Sequence, residues 1–339
     1  MKTSIFSPSF LRVTVLLALT SQFTVAQKIT TFDLPGGLAT TPTAISPSGR
    51  VVGYYGDQSA MAVRGFIRKP NGTFTSFDAP NSTYTLPTAV SPLEQIIGFY
   101  GDNLDFGYQQ LGFLRNPDGA MATFNGGSGT VTFPADINAF AEVVGYWEDI
   151  GQRVHGFFRN PDDTIISIDA GSGSYVGTHA LGINAAGQVT GSFFDDSTGF
   201  QTRGFLRQPD GTIETFNAPN ATSTAGIAIN QQGWILGNFT EADHSHAFLR
   251  RADGTIETFD VPGATDTAAV AINSKGEVAG YFIDSNSALH GFQREANGHI
   301  KTFDVPNATR TVPTAMNAKG EITGVFYDSN GDQHGFVRK

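Results

Sequence analysis

The sequence contains no cysteine in its 339 residues. Disulfides, thiol nucleophiles and zinc–thiolate sites are therefore excluded, and the fold has to be stabilised by packing alone. Basic residues are also scarce, because 21 Lys and Arg, spread along the chain, stand against 31 Asp and Glu, for a net charge of −10. Nucleic acids and anionic membranes are bound by clusters of basic side chains, so this composition predicts no nucleic-acid partner.

Long hydrophobic runs are missing as well, apart from one near the N-terminus. Lys2 and Arg12 precede an apolar run from Val13 to Leu19, and a short segment of small residues ends at Ala26. This order is typical of a secretory signal peptide, and the run is shorter than the roughly 20 residues that cross a bilayer. We expect a signal peptide at residues 1–26, one domain at residues 27–339 without a stable membrane span, and a secreted or periplasmic protein. An uncleaved anchor is the alternative.

What the sequence does contain is an internal repeat. Seven segments, from VVGYYGD to EITGVFYD, carry a glycine between an apolar stretch and an aromatic one. These central glycines are 45, 47, 46, 46, 43 and 44 residues apart, which is within the range of four-stranded propeller blades. They predict seven blades, around Gly53, Gly98, Gly145, Gly191, Gly237, Gly280 and Gly324.

Each repeat contains four short strand-like runs. In the sixth repeat, residues 269–304, runs rich in Val, Ile and Phe alternate with turns that contain Gly and Asn, a pattern that favours hairpins over helices. The mature chain begins with a lone fourth strand at residues 28–33 and ends with a third strand at residues 334–339. The sequence therefore predicts an all-β, seven-bladed β-propeller of four-stranded antiparallel blades, closed by the N-terminal strand pairing with the last blade.

The repeats share three further features, namely the tripeptide HGF or HAF, an I-N-x-x-G turn and a TFDxPGA segment. The tripeptide is literal at His246-Ala247-Phe248, and His155, His290 and His334 begin HGF. In these features the whole mature chain resembles the bacterial extracellular HAF-repeat family. The resemblance implies an exported repeat protein and no particular activity. The third and fourth repeats depart most, because FNGGSGTVTFPA and IDAGSGSYVGTHAL replace the usual segment with Gly and Ser.

The longer and more variable loops share one side of the predicted propeller, which we call the long-loop face. They connect the second strand to the third, and the fourth strand to the next repeat. Variable loops on a rigid scaffold often carry binding sites. An acidic residue lies there four positions after every central glycine, and such a ring of carboxylates could attract a cation or a polyhydroxylated or basic ligand. The ring consists of Asp57, Asp102, Asp149, Asp195, Glu241, Asp284 and Asp328.

A structural interpretation of these acids stays open. The Arg or His that begins each third strand and the Asp that ends a fourth strand are predicted at the same end of the blade, so an acid–base–acid network could hold each blade together. Repetition in every blade favours this interpretation. Two interpretations are also open for the arginines two positions after the tripeptide Phe. They could form a basic ring that binds an anion, or they could stack on aromatic side chains and stabilise the fold. They are Arg68, Arg115, Arg159, Arg207, Arg250, Arg294 and Arg338.

Four more residues are candidates for ligand contact. Tyr55, Tyr100 and Trp147 add aromatic surface near the long-loop face, and His179 breaks the repeat pattern. Rings at a surface can stack on sugars, so these residues could bind a glycan, whereas packing between blades is the alternative.

A possible metal site lies in the last repeat. The segment Asp328-Ser-Asn330-Gly-Asp332 resembles the oxygen-rich start of a calcium loop, so Asp328, Asn330 and Asp332 could ligate Ca²⁺ or Mg²⁺. The later bidentate Glu of an EF-hand is absent, and Asp, Asn and Gly also form plain turns.

Motifs of known enzymes are missing, since the chain has no GxSxG, HExxH or Walker-type loop. We therefore expect an exported, non-catalytic, monomeric binding propeller whose ligand is a small molecule, a protein, or a glycan or other cell-envelope component. The alternative is a divalent-metal-assisted lyase or hydrolase with its site at the axial mouth of the long-loop face. An enzyme should carry polar residues unique to one or two blades near the axis, and His179 is the hint of this kind.

Overall fold

The computed structural model describes residues 28–102, 109–129, 131–171, 176–196, 199 and 201–339, except the side chains of Val176 and Asp195. The predicted signal peptide, residues 1–26, lies outside the described residues. Within them the chain is all β, with strands joined by turns and loops and without an α-helix. Consequently the described part of the chain offers no helix that could cross a membrane.

The described residues form 28 strands. The first is β1 (Ile29–Phe32). Repeat 1 has β2 (Gly37–Ile45), β3 (Val51–Asp57), β4 (Ala62–Arg68) and β5 (Phe74–Phe77). Repeat 2 has β6 (Tyr84–Val90), β7 (Ile96–Gly101), β8 (Leu111–Arg115) and β9 (Met121–Phe124). Repeat 3 has β10 (Val131–Ile137), β11 (Val143–Glu148), β12 (Val154–Arg159) and β13 (Ile165–Ile168). Repeat 4 has β14 (Val176–Ile183), β15 (Val189–Asp195), β16 (Arg203–Arg207) and β17 (Ile213–Phe216). Repeat 5 has β18 (Ser223–Ile229), β19 (Ile235–Glu241), β20 (His244–Arg250) and β21 (Ile256–Phe259). Repeat 6 has β22 (Asp266–Ile272), β23 (Val278–Ile283), β24 (Leu289–Arg294) and β25 (Ile300–Phe303). Repeat 7 has β26 (Arg310–Met316), β27 (Ile322–Tyr327) and β28 (Gln333–Arg338).

The strands of each repeat pair in sequence order into an antiparallel four-stranded arrangement. Repeats 1 and 2 are joined by one parallel bridge between Val63 and Tyr84. Turn glycines allow the tight hairpins, as at Gly276, whose φ of 80° is unfavourable for other residues. A bulge interrupts the pairing of first and second strands, as between Pro134 and Asp136. These sheets are those expected of a β-propeller.

The N-terminal strand completes the sheet of the last repeat. β1 pairs antiparallel with β28, from Ile29 opposite Arg338 to Phe32 opposite Gly335. Four strands of repeat 7 thus come from both ends of the chain, in the order β1-β28-β27-β26. The predicted pairing of the N-terminal strand with the last repeat is confirmed.

The first strands lie next to one another from repeat to repeat, and β26 also contacts β2. Asparagines at their ends join neighbouring repeats, because Asn184 Nδ2 donates to the carbonyl of Asn230 (3.1 Å) and Asn230 Nδ2 to that of Asn273 (3.2 Å). The last and first repeats are linked in the same way, through Asn317 Nδ2 and the carbonyl of Ser46 (3.0 Å). The I-N-x-x-G turn of the sequence is therefore a contact between repeats.

The core lies between consecutive sheets. Between repeats 1 and 2, Ile67 and Phe77 pack with Ile96 and Phe113. Burial of one such side chain contributes on the order of 2–3 kcal/mol. The tripeptide phenylalanine is fully buried in every repeat, as Phe66, Phe113, Phe157, Phe205, Phe248, Phe292 and Phe336.

The repeated arginines stack on aromatic rings. The guanidinium of Arg294 lies 4.8 Å from the ring centre of Phe259, which belongs to the fourth strand of the preceding repeat. Burial lowers the pKa of Arg338 to about 10. The stacking interpretation is thus confirmed, and the same contact joins Arg68 to Phe32, Arg115 to Phe77, Arg159 to Phe124, Arg250 to Phe216 and Arg338 to Phe303, with Arg207 over Phe158 instead.

Candidate functional site

The acidic residues after the central glycines shape the turns between second and third strands. Asp149 Oδ1 accepts hydrogen bonds from the backbone N–H groups of Gly151 (2.7 Å) and Arg153 (2.9 Å). The bond from Arg153 is the largest cause that lowers the pKa of the Asp149 carboxyl. A carboxylate used in this way organises its own loop. Turn amides are bound likewise by Asp57, Asp284 and Asp328.

A basic residue connects each of these acids to a second one. His290 Nδ1 lies 3.0 Å from Asp304, its Nε2 lies 3.6 Å from Asp284, and its ring stacks on Phe282 at 5.1 Å. The acid–base–acid network considered from the sequence is therefore present, and it engages the carboxylates within their own repeats. The other networks are Asp57–Arg64–Asp78, Asp149–His155–Asp169 and Asp328–His334–Asp33, with His246–Asp260 as a pair.

Two described positions of the acidic ring, Asp102 and Glu241, lie outside these networks. Asp102 is exposed and, with Tyr100, lines a surface cavity of about 210 Å³. Glu241 is half-buried opposite His244 at the end of β19. The side chain of Asp195 lies outside the described residues. In the described part of the chain, four of the seven acids are thus engaged within their own repeats, and ligand binding by the ring stays a prediction.

The possible metal site is a hydrogen-bonded turn. Asp328 Oδ1 accepts from the N–H groups of Asn330 (2.8 Å) and Asp332 (2.9 Å), and its Oδ2 accepts from Asn330 Nδ2 (3.3 Å). Among the described residues, no three His, Cys, Asp or Glu side chains gather in a way that could hold a metal ion. Binding of Ca²⁺ or Mg²⁺ by Asp328, Asn330 and Asp332 stays a prediction.

The aromatic residues predicted at the surface are buried. Tyr55 is 6% exposed, and Tyr100 and Trp147 are each 9% exposed. All three belong to the hydrophobic clusters between consecutive sheets. Stacking on a sugar requires an open ring face, and glycan contact by these three residues stays a prediction. Their packing between repeats is what the sequence left as the alternative.

A mostly apolar cavity, which we call the central cavity, lies beside the first strands of several repeats. It has a volume of about 410 Å³ and lies between the first strands of repeats 2 to 5 and the second strands of repeats 2 and 3. Pockets for small molecules are typically about 300–1,000 Å³ and mostly apolar. Its lining consists of Thr88, Phe99, Phe133, Pro134, Ala135, Tyr146, Leu181 and Ile227.

Four rings in and beside this lining form a continuous cluster, which we call the aromatic arc. Phe99 meets Phe133 at 5.2 Å, Phe133 stacks on Tyr146 at 4.8 Å, and Tyr146 meets His179 at 4.6 Å. Repeats 5 to 7 lack such a cluster at these positions. There the cross-strand pairs are Ala225 with Asn238, Ala268 with Tyr281, and Val312 with Val325.

His179 is the predicted site residue that adjoins the central cavity. It is half-buried in β14, in contact with the lining residue Tyr146. Burial lowers the pKa of its imidazole, so the ring is neutral at pH 7. In the sequence, His179 departs from the repeat pattern. In the structure, it lies on the side of the cavity where the aromatic rings are.

Sequence reasoning missed Asp136, which lies next to the lining residue Ala135 on β10. Its Oδ1 accepts from the N–H of Ile137 (2.8 Å) and its Oδ2 from that of Ile183 in repeat 4 (3.0 Å). Comparison of the repeats position by position could have found it, because the other first strands carry only small residues there. These are Ala44, Ala89, Gly182, Ala228, Ala271 and Ala315.

The Asp136 carboxyl predicts a pH dependence. Burial raises its pKa to about 6, against the two N–H bonds that lower it. The folded state thus binds the proton of Asp136 more tightly than the unfolded chain does. Protonation of Asp136 therefore stabilises the fold fully below about pH 4, and this contribution is lost as the pH rises through 6. Relative to Asp136→Asn, the wild-type free energy of unfolding should fall by on the order of 1–3 kcal/mol between about pH 4 and pH 7. Urea denaturation of wild type and Asp136→Asn at both pH values measures this change. A difference in the free energy of unfolding that stays the same at both pH values would contradict the prediction.

A second cavity, of about 330 Å³, lies between repeats 3 and 4 at the short turns. Phe140 (62% exposed) and Ile166 (45% exposed) line it together with Glu142 and Arg207. Arg207 is one of the repeated stacked arginines. Since the polar groups here belong to the repeating scaffold, we take the central cavity as the candidate site.

Solved structures similar to this chain are β-propellers. A streptogramin B lyase and the virginiamycin B lyase from Staphylococcus aureus each share 14% identity and a TM-score of 0.58 over 92% of this chain and 98% and 99% of theirs. The β-propeller domain of the Trilobed protease from Pyrococcus furiosus, with an open Velcro topology, has 9% identity and a TM-score of 0.61 over 90% of this chain and 97% of its own. These similarities show the β-propeller fold. No protein-family model and no curated protein sequence matches the chain.

Proposed function

We propose that this protein is an exported, closed seven-bladed propeller of the HAF-repeat type that binds a small ligand in its central cavity without transforming it. The observation that carries the proposal is the apolar cavity of about 410 Å³ with aromatic rings on one side. Seven repeats and the pairing of β1 with β28 support a closed ring of seven blades. Export rests on the signal peptide predicted at residues 1–26.

Binding is favoured over catalysis because the acidic and histidine side chains of the long-loop face already have partners within the protein. The acids and histidines of the long-loop face are engaged in networks that repeat from blade to blade. Groups that hold a scaffold together in this way are not available for chemistry on one substrate. The cavity lining, by contrast, differs between repeats, as is needed for recognition of one particular ligand.

Filling the cavity should abolish binding. Ala135→Phe places a ring in the central cavity, whereas Val270→Phe introduces the same residue at the equivalent position of repeat 6, outside the lining. A thermal-shift screen with sugars, cell-wall peptides, organic amines, Ca²⁺ and Mg²⁺ should find a compound that raises the melting temperature of wild type and Val270→Phe. At 100 times its Kd, such a compound stabilises by about 2.7 kcal/mol.

The same compound should leave the melting temperature of Ala135→Phe unchanged. Circular dichroism spectra of the two variants serve as the control for folding. A compound that stabilises Ala135→Phe as much as wild type would place the site elsewhere and contradict the proposal.

The second candidate function is the lyase or hydrolase considered from the sequence. Asp136 and His179 favour it, because each is a titratable residue at a position where the other repeats have none, and both lie beside the cavity that Tyr146 lines. A titratable carboxyl with a pKa near 6 suits proton transfer. Turnover of a bound compound by wild type, lost in Asp136→Asn, would support this function over simple binding.

A further inference from the structure

The central cavity offers few hydrogen-bonding groups. The Thr88 hydroxyl donates to the carbonyl of Pro134 (2.8 Å), within the lining itself. Tyr146 supplies one further hydroxyl, and the other lining side chains are aliphatic or phenylalanine. A sugar would leave water and find few replacement hydrogen-bond partners here, which disfavours its binding. The lining therefore suits a ligand group whose surface is mostly C–H.

Asp136 gives this apolar space a negative charge. It is the one charged residue in the interior of a described first strand, because Asp266 and Arg310 stand at the beginnings of theirs. Asp136 keeps some exposed surface although first strands of the neighbouring repeats lie beside it. Its chain neighbour Ala135 lines the central cavity, so Asp136 lies at the edge of this space.

In the part of the chain that the structure describes, no basic side chain forms an ion pair with this carboxylate. Among the described residues, the polar partners of the Asp136 carboxylate are the N–H groups of Ile137 and Ile183. His179 is neutral at pH 7, since burial lowers the pKa of its imidazole. The acids of the long-loop face and the net charge of −10 add a negative field around the molecule, which attracts cations and repels anions.

We infer that the central cavity binds a quaternary or methylated ammonium group, with the aromatic arc and Asp136 as its partners. The inference rests on the proposed function and names its class of ligand. Such a cation presents C–H surface to the apolar lining and is attracted by the π-electrons of Phe99, Phe133 and Tyr146. A quaternary nitrogen has no N–H and needs no hydrogen-bond acceptor, while the N–H of a methylated amine would need one, and in both cases the charge offsets that of the carboxylate.

A matched pair of probes isolates the charge. Choline and 3,3-dimethyl-1-butanol have the same shape, with a carbon in place of the ammonium nitrogen. Isothermal titration of the mature protein, residues 27–339, at pH 7 and constant ionic strength should give an affinity for choline at least about tenfold above that for the alcohol. Phe99→Leu should weaken choline binding and leave the alcohol unaffected.

Two variants test the role of the carboxylate. Asp136→Asn should lower the affinity for choline about tenfold and bring it close to that for the alcohol. Asp284→Asn also removes one negative charge, but from a turn of the long-loop face, and should change the affinity less than about twofold. If Asp136→Asn does not fold, wild type itself provides the test, because its choline affinity must fall from pH 7.5 to pH 5 as Asp136 takes up its proton.

The contrary outcomes separate this inference from the proposed function. Equal affinities of wild type for choline and the alcohol would overturn the inference and leave a binding cavity standing. A folded wild type that binds neither probe would also overturn it, while the comparison of Ala135→Phe with Val270→Phe decides the proposed function independently. Unchanged choline binding in Asp136→Asn would remove the carboxylate from the site.

Discussion

Gly145→Ala is expected to destabilise the fold by about 3–5 kcal/mol. A Cβ atom at this central glycine would overlap the carbonyl oxygen of Phe133 on the paired first strand and lie 2.7 Å from Cε1 of the buried Phe157. Neither neighbour can move, because one is backbone in a ladder and the other is fully buried in the core. Urea denaturation should show the loss as a lower midpoint, a large part of the 5–15 kcal/mol typical of a folded domain.

Gly56→Ala is the matched control. Gly56 lies in the same kind of strand, and a Cβ there would be 3.5 Å from the carbonyl oxygen of Leu38, an ordinary contact. We expect this variant to stay within about 1 kcal/mol of wild type. Equal midpoints for Gly145→Ala and Gly56→Ala would mean that first and second strands can separate at little cost, contrary to the close approach described here.

Deletion of residues 27–33 should lower the melting temperature by roughly 10 °C. The deletion removes β1 and with it the burial of Phe32 (8% exposed) and the stacking of Arg68 on that ring. It also leaves β28 as an open sheet edge, and such edges pair with other chains. Differential scanning calorimetry measures the first effect, and light scattering should detect self-association of the shortened protein.

A peptide of residues 27–36 should reverse both effects when added to the shortened protein, whereas the same residues in scrambled order should not. Residues Ile29 and Phe32 of the peptide would then occupy the positions opposite Arg338 and Gly335. A shortened protein that melts at the wild-type temperature and stays monomeric would contradict the role of β1 as the completing strand.

The sequence determined the repeat, the strands and the pairing of the chain ends. A period of 43–47 residues, short apolar runs and turn glycines are local properties, since side-chain alternation and positive φ act within a hairpin. The segment at residues 28–33 could be matched to the end of the chain because repeat 7 lacked its fourth strand. The I-N-x-x-G turn was equally visible, but its contact with the next repeat was not.

Only the tertiary structure decided what the candidate side chains contact. Tyr55 and Trp147 are in the core because each sheet packs on the next. The alternation of side chains along one strand does not reveal which face of that strand packs against the neighbouring sheet. Asp136 accepts a hydrogen bond from Ile183, 47 residues away, and the aromatic arc joins three repeats. Such contacts depend on how the repeats pack against one another, so the central cavity became visible only in the assembled structure.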